Sequence, residues 1–128
     1  MIVRTVADLQ GTDRHISKPN WSSTRLIVAD DHMGFSMHVT RIFPGQTGLT
    51  EYADHLEAAY CITGHATLVF ESGRTRVEIN PGSVYALDAH DPHTMIVHNE
   101  LLLVCVFSPP LKAAENANDR FRDTRAAP

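Results

Sequence analysis

Between Phe35 and Phe107 the chain breaks into short apolar or alternating runs, each closed within a few residues by glycine, proline, asparagine or aspartate. The runs predict strands over Phe35–Phe43, Leu49–Tyr52, Leu56–Thr63, Ala66–Glu71, Thr75–Ile79, Val84–Leu87, His93–Val97 and Leu101–Phe107. Pro44–Gly48, Gly64, Ser72-Gly73, Asn80-Pro81-Gly82 and Asp88–Pro92 read as the breaks between them. Upstream, the pattern gives a short strand, a few helical residues over Thr5–Leu9, a loop and a further strand. Asn20–Thr24 is then a polar turn, Arg25–Ala29 a strand, and Asp30–Gly34 the next turn. Turn signals at such short spacing, with almost no helical periodicity, indicate an all-β sandwich or barrel. After Ser108-Pro109-Pro110 the composition shifts to alanine, asparagine, aspartate and arginine, with only Leu111 and Phe121 to bury. This segment is expected to be a mobile tail.

Alternation also says which side chains look inward, because successive residues of a strand point to opposite faces. Glu57, Ala59 and Cys61 share one face; Tyr85 and Leu87 share another; His93, Met95 and Val97 share a third. Each set is one polar group followed by apolar ones, which describes a barrel with a polar mouth and an apolar floor. Tyr85 and His93 flank the tight turn at 88–92 and can face each other across paired strands. A carboxylate, a phenol and an imidazole form a mixed O,O,N set suited to Fe(II), Mn(II) or Zn(II) with open positions. Read from pattern alone, plainer alternatives stand: a core tyrosine, a surface acid, a turn histidine, and in Tyr52, His55 and Trp21 ordinary loop and packing residues.

Composition narrows the partners. The chain has 128 residues, 43% of them hydrophobic, which suits one domain with a real core. A net charge of −4 and the absence of a basic run argue against nucleic acid and anionic membranes. No stretch approaches the roughly 20 apolar residues of a membrane span, and Met1–Asp8 lacks a signal-peptide core. A soluble cytoplasmic protein is expected. Cys61 and Cys105 lie in apolar runs and read as reduced core thiols. Eight histidines raise the prior for a metal or proton-transfer site.

The spacing over residues 45–93 resembles the cupin superfamily of double-stranded β-helix (jelly-roll) barrels. Glu57 and Gly64 match the end of its first motif, and Pro81-Gly82 the start of its second. Thr50, Tyr52 and Tyr85 stand where the usual three histidines would be. Within that superfamily, residues 1 to about 111 resemble the ectoine synthases. The strings carrying this resemblance include Met1–Arg4, Asn20-Trp21, Met33–Ser36 with His38 and Thr40, and His55-Leu56-Glu57. Tyr60-Cys61-Ile62, His90-Asp91 with His93, and Val104–Phe107 with Pro109-Pro110-Leu111 extend it. The resemblance implies a single cupin domain over 1–128, with its barrel core at about 25–107, a short N-terminal extension and a tail at 108–128. It implies Glu57, Tyr85 and His93 as Fe(II) ligands, with Tyr52 and His55 as candidate proton carriers. Trp21, Ser23, Arg25, Thr40, Tyr52, Leu87, Asp91 and Phe107 would line or support the substrate pocket, and Glu115 would reach it from the tail. The implied reaction is that of a hydro-lyase, closing N4-acetyl-L-2,4-diaminobutyrate to ectoine with loss of water, in a head-to-tail homodimer. The chain departs from the family's habit at Leu49, Glu51, His65-Ala66-Thr67, Ala113 and Ala117. Two rival readings follow from the residues: another metal-dependent cupin enzyme, such as a dioxygenase or isomerase, and a cupin that binds a small solute without chemistry.

Overall fold

The computed structural model describes residues 1–113 and 121–123. A single turn of helix, α1 (Val6–Leu9), opens the chain, with the Thr5 hydroxyl accepting from the Asp8 N–H at 3.0 Å. The strands that follow are β1 (His15–Ser17), β2 (Trp21–Ile27), β3 (Ser36–Ile42), β4 (Gly45–Gln46) and β5 (Thr50–Tyr52). Then come β6 (Leu56–Phe70), β7 (Thr75–Ile79), β8 (Val84–Leu87), β9 (His93–Ser108) and β10 (Phe121–Asp123). Every strand pairing among the described residues is antiparallel. The protein is all-β, as the turn spacing predicts.

The two long strands organise the rest. β6 and β9 run side by side from Leu56↔Ser108 to Phe70↔His93. On its free edge β6 carries β8 along its first half and β7 along its second. On its other edge β9 carries β3 along its second half, and beyond β3 come β2 and β1. The first half of β9 meets β4 and β5, and β10 pairs outside β5. Buried Ala59, Cys61, Leu68, Ile79, Met95, Leu101, Leu103 and Phe107 belong to one apolar cluster inside this sheet.

Five expectations are corrected. Pro44–Gly48 is not only a turn: Gly45 and Gln46 pair with Val97 and Ile96 as β4. Gly64 does not end a strand: Leu56–Thr63 and Ala66–Glu71 belong to one strand, β6, whose ladder with β9 shifts register three times between Cys61 and Ala66. Such bulges bend a strand without ending it. His93–Val97 and Leu101–Phe107 likewise join as β9, because β6 pairs with both stretches. Asn20–Thr24 is not simply a turn. β2 already starts at Trp21, where polar residues alternate because one face of the strand looks into a pocket. Residues 1–4 form no strand. Instead the Arg4 guanidinium holds the Asp31 carboxylate with two hydrogen bonds of 2.8 Å, and Asp31 also accepts from the Val28 N–H at 2.9 Å. The stretch read as the mobile tail lies largely outside the described residues.

Candidate active site

Glu57 on β6, Tyr85 on β8 and His93 on β9 line one cavity of about 110 Å³. Register brings them there. Glu57 pairs with Leu87 and Phe107, and Ala59 pairs with Tyr85 and Cys105, so the inward faces of β8, β6 and β9 share one wall. His93 and Met95 extend that face along β9. Trp21, Ser23, Arg25, Thr40, Tyr52 and Phe107 line the same cavity. The Thr40 hydroxyl donates to Ser23 Oγ at 3.4 Å, and the Tyr52 ring meets Phe107 edge-on at 5.2 Å.

Three further predicted residues stand behind the lining. His55 is buried, with Nδ1 2.6 Å from the Pro109 carbonyl and its ring edge-on to Phe107. Leu87 is buried opposite Glu57. Asp91 acts through its backbone: its carbonyl accepts from His93 Nδ1 at 2.9 Å, while its carboxylate accepts from the Ala89 N–H. Glu115 lies outside the described residues.

Sequence reasoning did not select His38, Thr47, Thr50, Cys105 or Leu111, all of which line the cavity. His38 could have been found, since it shares the inward face of β3 with Thr40. It stacks on Phe107 at 5.1 Å, and burial, helped by the nearby Arg25 charge, holds its imidazole down to about 3. Its Nε2 is buried without a hydrogen-bond partner among the described residues. Arg25 is itself buried. Its Nη1 donates to the carbonyls of Lys112 and Ala113 at 2.7 and 3.2 Å, tying the end of the barrel to the start of the tail.

The electrostatics fit a cation. Burial lifts the Glu57 carboxyl to about 7, against a smaller opposite pull from the Cys105 thiol. Burial also lifts the Tyr85 phenol, with Glu57 adding to the rise, and burial lowers His93. The phenol's one hydrogen bond among those resolved is a long contact of 3.9 Å to Met95 Sδ. The Asp91 carbonyl holds His93 Nδ1, so Nε2 is the ring nitrogen that could meet a metal ion. A divalent ion would supply the positive charge that this desolvated carboxyl and phenol lack.

Comparison with known proteins decides the lineage. The family model described as ectoine synthase matches residues 1–121. The chain belongs to the ectoine synthase family. Two relatives named L-ectoine synthase illustrate the distance within it. One, from Saccharophagus degradans, is 40% identical over 90% of this chain and 87% of its own length. The other, from a Marinomonas species, is 42% identical over 92% and 93%. The crystal structure of ectoine synthase from P. lautus superposes with a TM-score of 0.87 at 36% identity, covering 96% of this chain and 89% of that one. The fold is therefore the cupin jelly roll of this family. No helix among the described residues is long and apolar enough to cross a membrane.

Proposed function

We propose that the chain is a hydro-lyase that closes N4-acetyl-L-2,4-diaminobutyrate to ectoine with loss of water. The observation that carries this reading is the family match over residues 1–121, joined to a cavity lined by Glu57, Tyr85 and His93. In the reaction the substrate's α-amine, once deprotonated, attacks the amide carbon. A C–N bond forms, and the carbonyl oxygen leaves as water.

Glu57, Tyr85 and His93 would hold Fe(II), with Mn(II) or Zn(II) as substitutes of similar ligand preference. Bound there, the ion would supply Lewis acidity toward the acetyl oxygen. The remaining work falls to the cavity walls. A flexible chain must fold so that nitrogen approaches carbon, and a site that holds that geometry replaces several kcal/mol of entropy. Ser23, Thr40, Tyr52 and Trp21 offer hydroxyl and ring contacts for the substrate's polar end. Arg25, bound to the backbone at 112–113, anchors the segment just after Leu111, which lines the cavity. Tyr52 lines the cavity and is the better placed proton carrier. His55 orients Phe107 from behind. The neutral, buried His38 supplies an imidazole wall without a competing charge.

We read residues 1–128 as one cytoplasmic domain that works as a homodimer. Leu56, Tyr60 and Ile62 on β6 and Val84 on β8 make an exposed apolar row that a second copy would cover.

The test is an anaerobic assay with Fe(II)-loaded protein, in which ectoine forms from the acetylated diamine and chelation stops it. Glu57→Ala should lose both bound iron and turnover. Full iron content with normal turnover in that variant would overturn the ligand assignment. An oxygen requirement, or substrate binding without ectoine, would overturn the reaction itself.

A further inference from the structure

Outside the cavity, on the opposite face of the sheet, two imidazoles and a carboxylate come together. Ala66, Leu68, Ile79, Met95 and Val97 point into the core. Their neighbours Thr67, Glu78 and His98 therefore point outward, and His65 joins them where the β6–β9 ladder is irregular. The ligand atoms of His65, Glu78 and His98 all lie within 4.8 Å of one another. None of the three lines the cavity.

We propose that His65, Glu78 and His98 form a second site for a divalent transition-metal ion, independent of the cavity. The residue types select the ion class. Two imidazoles with one carboxylate suit Zn(II), Co(II), Ni(II) or Cu(II), whereas Mg(II) and Ca(II) ask for oxygen ligands throughout. The geometry needs little change. Ligand atoms about 2 Å from one tetrahedral ion sit roughly 3.3 Å apart, so small side-chain rotations close the existing group on a cation.

The group is also held in place. It spans three neighbouring strands, with Thr67 opposite Glu78 on β7 and opposite Ile96 on β9. Thr67, itself only 6% exposed, places its hydroxyl 3.1 Å from both Glu78 oxygens and 2.9 Å from His98 Nε2. His65 Nε2 lies 2.8 Å from Glu78 Oε2, and the two histidine rings sit 4.7 Å apart, tilted by 34°. An ion here would replace the His65–Glu78 contact and leave at least one coordination position for water or an outside ligand.

The test uses the full chain stripped of metal and Zn(II) as the probe, followed by equilibrium dialysis. In the Glu57→Ala background, which disables the cavity set, the protein should still bind one Zn(II) per chain. Adding His98→Ala or His65→Ala should weaken that binding at least about tenfold. His98→Ala alone should bind one Zn(II) fewer than the wild type and keep its ectoine-forming activity, a comparison that holds even if Glu57→Ala folds poorly. Unchanged Zn(II) affinity and stoichiometry in the histidine variants would overturn the site.

Discussion

Asp31 shows how much one residue can hold. Its carboxylate takes the Arg4 fork, a longer contact to Arg14 at 3.4 Å and the Val28 N–H, joining the N-terminal segment, the residue before β1 and the turn after β2. These partners, the Arg4 hydrogen bond above all, keep the carboxyl well below the usual carboxylate range. Asp31→Asn keeps the size and removes the charge. It should lower stability by about 1–3 kcal/mol, the range for hydrogen bonds to a charged group. Urea unfolding measures this, and a change under about 0.5 kcal/mol would place Asp31 among ordinary surface positions. Nothing in the string Asp30-Asp31-His32 marks the second aspartate over the first. Its partners come from residues far away in the chain, so its role appears only in the folded molecule.

At the scale of elements, Gly64 decides the path of β6. Its φ is +103°, and a Cβ there would land well inside the Glu100 carbonyl of β9. The glycine lets the two longest strands stay paired while the ladder shifts register. Gly64→Ala should cost more than the roughly 1–3 kcal/mol of a strained backbone conformation, because the clash adds to the torsional strain. A thermal melt compares the two proteins, and a variant as stable as the parent would refute the close approach. From sequence alone, Gly64 reads as a strand end, because a glycine between apolar runs is ordinary turn punctuation. The ladder across the bulge is what makes it a bend.

Buried titratable groups couple the whole molecule to pH. His38 has an ordinary value of 6.5 and is lowered to about 3 by burial, so between those values the unfolded chain binds a proton that the folded one refuses. Stability through His38 is therefore lost as pH falls below 6.5. Glu57 works in the opposite sense. In the metal-free protein its value rises from 4.5 to about 7, so the folded state holds a proton that the unfolded chain releases, and stability is lost as pH rises through that window. Between about 4.5 and 6.5 the Glu57 slope opposes those of His38 and of His93, which burial also lowers. Metal-free Glu57→Gln removes one of them. As pH falls from 6.5 toward 4.5 that variant should lose more stability than the parent, by up to about 1.4 kcal/mol per pH unit. Urea midpoints at several pH values would show it, and a flat profile in the variant would refute the burial of a neutral His38.

The sequence by itself determined the all-β class, the extent of β3, β5, β7 and β8 and the inward placement of Glu57, Ala59, Cys61, His93 and Met95. These follow from period-two alternation, a property each short stretch carries alone. The family strings added the expectation that Glu57, Tyr85 and His93 belong together. Only the tertiary structure decided that β6 and β9 run unbroken past Gly64 and Asn99, and that polar Trp21–Thr24 is a strand. It also decided that Arg25 points at the backbone of residues 112–113, and that His38 joins the cavity while His55 stands behind it. His65, Glu78 and His98 lie on three different strands, and no local pattern announces their meeting. In each case the cause is the same. Register between strands distant in sequence selects which side chains meet, and register is a sum over the whole ladder that no single stretch contains.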